Sequence, residues 1–370
     1  MKKYVALLLS ILLCLSAIPA FAYTVLSEEE YKALSAEEQF YYLDYLVCNA
    51  VYDNITSFDD DYAKSVVLAE HVKIYGAMYS DADDAAKKET YQKMYDLLNN
   101  LETIANPDEQ RIYLWNSDNI PTKTEYTDNS SHKYHSDPDF QPYLLPVLVP
   151  EGTEIRGAVI IVPGGDRGTA AIVEGSDIAA EFSKLGYQCF IAINRQNNNP
   201  WSGEESGVDI ARAVRYVRAN AETYGIDPEQ IAICGSSNGG MTCMYAIEYY
   251  AGTATAKDHF ENYQPDALDE ISAAPNAFIN EYGLANLVDE ANASLYPPVF
   301  FVGGEQDSGY ARHLSILSAW ATAGITVEAH SFAGAPHGFG AHSTATGECY
   351  ENTKIWPSLA DTFMQKVYQK

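Results

Sequence analysis

In the stretch "IAICGSSNGGMT", residues 231 to 242, two adjacent serines stand between glycines. Only Ser237 has glycine both two residues before it (Gly235) and two after it (Gly239), giving G-x-S-x-G. Ser236 has Cys234 and Asn238 at those positions. A serine presented on a sharp strand-to-helix turn adopts a strained backbone, and neighbours without side chains let the chain turn that tightly. Ser237 is therefore the candidate nucleophile. The bland alternative is a small-residue joint between a strand and a helix, with no chemistry.

A nucleophilic serine needs a base, an acid to orient that base, and donors for the oxyanion that develops. The stretch "FAGAPHGFGAH" offers His337 in a glycine-flanked loop, free to swing between a serine and a carboxylate. His330 lies inside the preceding strand-like run and reads as structural, and His342 is the weaker alternative base. In "PVFFVGGEQDSGY" a strand runs into a turn, which brings a carboxylate to the carboxyl end of a sheet, where ligands collect. Asp307 and Glu305 both qualify, and Asp307 lies further into the loop, where it can bend toward a histidine. "VIIVPGGDRG" closes another apolar run with glycines whose amides can face a carbonyl oxygen. The candidate oxyanion donors are the amides of Gly165, Asp166 and Asn238, each worth about 3 to 4 kcal/mol in well-studied cases. The same stretch does not form G-x-G-x-x-G, which argues against a dinucleotide site.

These residues need a scaffold, and the chain from Glu154 onward supplies one. Apolar strand-like runs ("IRGAVIIV", "QCFIAIN", "IAICGSS", "AFINEY", "PVFFVGG", "TVEAHSF") alternate with amphipathic helical ones. The helical runs include "GSDIAAEFSKLGY", "GVDIARAVRYVRANAETYG", "MTCMYAIEYY", "GYARHLSILSAWATAG" and the C-terminal "PSLADTFMQKVYQ". Buried strands alternating with helices predict an α/β fold with a mostly parallel sheet covered on both faces. Residues 107–150 are polar and rich in Pro, Asp and Ser, and read as loop, with a short strand at "RIYLW". Residues 23–106 read as a helical extension, opened by the capping box Ser35-Ala36-Glu37-Glu38, and form a possible cap.

The first 22 residues carry a different signal. Lys2 and Lys3, an apolar run and "AFA" before Tyr23 make a leader with cleavage expected after Ala22. Leu13 before Cys14 does not suit a lipoprotein site, and no later apolar run approaches the ~20 residues that span a bilayer. The expected location is extracellular. Losing Lys2 and Lys3 takes the formal charge from −28 to −30, which repels nucleic acid and anionic membranes alike. Five cysteines remain, an odd number with no C-x-x-C pair, so neither a disulfide framework nor a cysteine metal site is expected. His132, His135, Asp137 and Asp139 are a conceivable metal set, but no regular element fixes them and a solvated loop is the favoured reading. Asn54, Asn129 and Asn292 match the glycosylation acceptor pattern, from which nothing is concluded.

The order of the parts is Ser237, Asp307, His337. Serine, acid and histidine follow in that order in α/β hydrolases, and chymotrypsin-type and subtilisin-type proteases arrange them differently. From about residue 107 onward the chain resembles the esterase and lipase branch of the α/β hydrolases, and is most similar to secreted acetylxylan and feruloyl esterase-like proteins. "YLWNSDNIP", "VPGGD", "EGSDIAAEFSKLGYQCFIAINR", "DIARAVRYVRANAETYGIDPEQIAICGSSNGG" and "APHGFG" carry the resemblance. It implies a catalytic domain over 107–370 and hydrolysis of acetyl or hydroxycinnamoyl esters, plausibly on plant polysaccharide, through an acyl-enzyme with no metal or organic cofactor. Two positions depart from the family pattern: Asp166 stands where a third glycine is usual, and Asn238 where Ala or Gly is. Neither change removes a backbone donor, so activity is expected. The competing functions are a serine peptidase of the same fold and a non-catalytic binding protein on the same scaffold. The peptidases usually carry a large accessory domain, and covalent labelling of Ser237 separates the binding protein from both enzymes.

Overall fold

The computed structural model describes residues 33, 111–122, 141–149, 152–164, 174–175, 177–195, 202–283, 292–341 and 350–369. The expected leader, the extension at 23–106 apart from residue 33, the His132, His135, Asp137, Asp139 cluster and His342 lie outside them.

Eight strands form one sheet: β1 Ile112–Tyr113, β2 Tyr143–Val147, β3 Gly157–Val162, β4 Tyr187–Ile193, β5 Ile231–Ser236, β6 Ala277–Glu281, β7 Val299–Gly304 and β8 Val327–Phe332. Their spatial order is β1-β2-β4-β3-β5-β6-β7-β8. β4, β3, β5, β6, β7 and β8 pair in parallel, while β2 runs antiparallel to both β1 and β4. The sheet is mostly parallel, as the alternating pattern requires.

β2 corrects the reading of residues 107–150 as loop with only one short strand. β2 contains Pro146 within "YLLPV", and proline cannot donate to a ladder. The register explains the exception: β1 pairs only with Tyr143 and Leu144, so Pro146 lies beyond its end. β4 lines the other side across all five residues.

Helices cover both faces. α1 (Asp177–Lys184) and α7 (Trp356–Tyr368) share one apolar cluster with Val159, Ile161, Cys234, Phe300 and Val302. α2 (Gly203–Ala219), α4 (Asn238–Tyr250) and α6 (Tyr310–Thr322) share the other with Ile160, Val162, Ile233, Val299 and Phe301. The short α3 (Ala221–Tyr224) and α5 (Ala256–His259) lie in the connections. Successive strand residues feed opposite clusters, the period of two that strand geometry imposes. Each buried Val, Ile or Phe contributes about 1.5–3 kcal/mol, so both faces of the central strands had to be apolar. No helix among the described residues is long and apolar enough to cross a membrane.

α2 begins four residues before the run "GVDIARAVRYVRANAETYG" that announced it, because Ser202 caps it by accepting from the Glu205 amide. Its buried Asp209 takes Arg195 in a two-pronged pair, with Nη2 2.6 Å from Oδ1 and Nε 3.0 Å from Oδ2. Asp209 also accepts from the Trp115 indole at 2.7 Å. The Arg212 guanidinium lies over the Trp115 ring at 4.6 Å and donates to the Leu114 carbonyl. Buried charges are tolerable when paired this fully, and here they fasten the "YLW" segment to the helix beneath the central strands.

Candidate active site

Ser237 stands between β5 and α4 with φ 49° and ψ −120°. A non-glycine residue there stores of order 1–3 kcal/mol, held only if its surroundings enforce it. They do: the Ser237 amide donates to the Glu281 carbonyl (2.9 Å), and the Gly240 amide donates to the Ser237 carbonyl (3.0 Å). The turn is closed too tightly for side chains on either flank. A Cβ on Gly235 would lie 2.5 Å from the Gly239 carbonyl oxygen, and one on Gly239 would lie 1.9 Å from that of Val162.

The two adjacent serines have opposite surroundings. Ser236 is fully buried, and its hydroxyl donates to Glu281 Oε2 at 2.5 Å. Ser237 Oγ is 2.8 Å from His337 Nε2. His337 Nδ1 is 2.6 Å from Asp307 Oδ2, and the other Asp307 oxygen accepts from the Gly309 amide at 2.7 Å. A carboxylate can only accept, which assigns the Nδ1 proton to His337 and leaves Nε2 as acceptor for the serine proton. The Asp307 side chain is 3% exposed and the His337 side chain 47% exposed. The acid is thus sunk in the fold while the imidazole edge faces the open side.

The other sequence candidates lie elsewhere. Glu305 is exposed; its amide donates to the Phe332 carbonyl, and its carboxylate accepts from the Gly334 amide. It serves the turn after β8. His330 sits on β8, 3.0 Å from Glu328 and with its ring 5.1 Å from that of Phe300. Asn238 is the first residue of α4, so its N–H belongs to the turn where a helix has no carbonyl to offer. Gly165 and Asp166 lie outside the described residues.

A polar group that motif reading missed lies under the elbow. Glu174, Glu281 and Tyr282 are all buried; Glu281 ends the β6 strand and Tyr282 follows it. The one sequence sign was an acid, Glu281, ending an otherwise apolar strand in "AFINEY". Burial, reinforced by the nearby Glu174, pushes the Glu281 carboxyl well above the usual carboxylate range. The fold therefore favours neutral Glu281. That contribution is complete below the unfolded carboxylate pKa of about 4.3 and is lost as pH rises through the folded value. Thermal unfolding followed between acid and alkaline pH should accordingly show a shallower fall for Glu281→Gln than for the parent protein. Parallel slopes would remove Glu281 as the source.

Comparison with known proteins adds four observations. Residues 150–311 match the BD-FAE family. Endo-1,4-beta-xylanase B of Butyrivibrio fibrisolvens is 28% identical over 185 residues, 49% of this chain and 26% of that protein. The probable carboxylic ester hydrolase LipM of Mycobacterium tuberculosis is 26% identical over 136 residues, 36% of this chain and 28% of that protein. The chain thus spans about a quarter of the length of either relative. Among solved structures, the acetyl ester-xyloside bifunctional hydrolase from Caldicellulosiruptor lactoaceticus superposes with a TM-score of 0.52 at 21% identity. The match covers 70% of this chain and 96% of that one, a likeness of fold.

Proposed function

We propose that this chain, which belongs to the α/β hydrolases of esterase type, is an exported serine carboxylesterase for short acyl esters. Acetyl or hydroxycinnamoyl esters of plant polysaccharide are the substrate class. The observation that carries the reading is the continuous Ser237–His337–Asp307 relay, with contacts of 2.8 and 2.6 Å, on a strained elbow. The polysaccharide part is supported by the match to a protein named as a xylanase, and export by the leader ending at Ala22.

The mechanism follows from which atoms can give or take a proton. His337 Nε2 accepts the Ser237 hydroxyl proton as Oγ attacks the ester carbonyl. The imidazolium that forms is stabilised by the buried Asp307 carboxylate, which also fixes the ring so that Nε2 stays aimed at Oγ. Negative charge moves to the former carbonyl oxygen. The Asn238 amide, with those of Gly165 and Asp166, is its donor set. His337 then returns the proton to the departing alcohol, leaving an acyl group on Ser237. Water, activated by the same nitrogen, releases the acid by the same steps in reverse order.

The test is hydrolysis of 4-nitrophenyl acetate, butyrate and octanoate by the protein from Tyr23 onward, followed by acetate release from acetylated xylan. Acetate should be preferred to octanoate by about tenfold or more in kcat/KM, since even one methylene is worth about 1–3 kcal/mol in a shaped pocket. Octanoate preferred over acetate would overturn the short-acyl assignment. A folded protein that turns over none of the three would overturn the esterase reading.

A further inference from the structure

The polar group beneath the elbow connects two loops that come from distant parts of the chain. The Gly164 amide, just after β3, donates to Glu174 Oε2 at 2.8 Å. The Tyr282 hydroxyl donates to Glu174 Oε1 at 2.9 Å and accepts from the Gly340 amide at 3.0 Å. Gly340 lies three residues after His337, and its carbonyl accepts from the Trp356 indole at 3.0 Å. The Tyr282 ring also packs against the His337 ring, with centroids 4.8 Å apart.

Resting on the esterase reading above, we propose that Glu174 and Tyr282 are positioning residues. They tie Gly164, two residues past β3, to the turn after His337 and so hold the imidazole within reach of Ser237 Oγ. Three features favour this over plain core packing. Burying a carboxyl and a phenol is costly unless their hydrogen bonds are met, and apolar side chains would fill the same volume without that cost. Both functions of the phenol are used, one as acceptor and one as donor, and phenylalanine can supply neither. Tyr282 also has φ 42°, one of two described non-glycine residues with positive φ; the other is Ser237. Its amide bond to the Val302 carbonyl at 2.8 Å anchors that conformation to the neighbouring strand β7. The two strained positions meet through the Glu281 carbonyl, which accepts from the Ser237 amide one residue before Tyr282, and this marks a place where geometry, rather than volume, is being held.

Tyr282→Phe keeps the ring against His337 and removes both hydroxyl bonds. For 4-nitrophenyl acetate we expect kcat to fall about tenfold or more with KM within about twofold, because a small displacement of the base acts on the chemical step. The imidazole Nδ1 proton of His337, observed by proton NMR and identified by its absence from His337→Ala, should broaden through faster exchange. Glu174→Gln should give the same two changes. The double variant should be no worse than the poorer single one, as expected for two links of one chain. Should Tyr282→Phe fail to fold, Glu174→Gln carries both readouts alone. Unchanged kcat and an unchanged imidazole proton, even with a lowered melting temperature, would reduce the pair to core packing and overturn the proposal. If the parent protein hydrolyses no ester, the esterase reading fails on that result, and the imidazole proton still decides whether the link positions His337.

Discussion

Ser237→Ala is expected to lower kcat for 4-nitrophenyl acetate by about a million-fold, leaving only residual turnover from whatever oxyanion donors and binding remain. The size follows from the role: without Oγ there is no acyl-enzyme, and His337 Nε2 loses its 2.8 Å partner. An organophosphonate should label the parent protein at Ser237 and leave the variant unmodified. Stability should change little, since alanine at φ 49° carries the same backbone strain as serine and the turn's amide bonds are main-chain. Ser236→Ala provides the contrast. That hydroxyl is fully buried and committed to Glu281, so its loss should register in the melting temperature while labelling of Ser237 persists. Full activity in Ser237→Ala, or labelling that follows Ser236, would overturn the assignment.

Asp307→Asn carries the second largest expected effect, a fall in kcat of about ten-thousand-fold with KM little altered. An asparagine has a single acceptor oxygen, and with that oxygen kept on the Gly309 amide it turns an N–H toward His337 where the acid offered a lone pair. It can satisfy His337 Nδ1 only if that nitrogen gives up its proton, and the proton then sits on Nε2, where it blocks general-base action on Ser237. Burial sharpens the effect, because little solvent reaches the 3% exposed carboxylate to substitute for it. Glu305→Gln is the matched control. Glu305 is two residues away and also a carboxylate, yet it accepts from the Gly334 amide in the turn after β8. Its kcat should stay within about twofold of the parent. A large loss in Glu305→Gln with activity kept in Asp307→Asn would reverse the two assignments.

The choice between those two acids shows where reading residues in order reaches its end. A strand running into "GEQDSG" announces a carboxylate at the edge of the sheet, and the order of serine, acid and histidine announces its purpose. What separates Glu305 from Asp307 is the tight turn after β7, in which the Asp307 amide returns to the Gly304 carbonyl and the side chain swings toward His337. The two serines, by contrast, could be told apart in sequence. The glycines that let the chain turn stand within two residues of Ser237, even though one of them, Gly239, also has to clear the Val162 carbonyl on β3.

The strands show the same division. Central strands buried on both faces appear as unbroken apolar runs, so β3, β5 and β7 were legible without their partners. β2 was not, because a proline in a strand is acceptable only where the neighbouring strand has already ended, and that depends on the length of β1. The start of α2 was likewise hidden, since its cap Ser202 precedes the first residues with helical periodicity.

By itself, the sequence determined the alternation of strands and helices, the elbow serine, the loop histidine and a carboxylate after the fifth apolar run. All of these rest on hydrophobic period, glycine sterics and chain order, which act over a few residues. Only the tertiary structure decided the rest. It singled out Asp307 over Glu305, brought Glu174 within hydrogen-bonding reach of Tyr282 across 108 positions, and set Tyr282 against His337. Buried polar contacts of that kind leave no local pattern. They arise where two loops approach and their backbone N–H groups, removed from water, must find an acceptor or lose the bond.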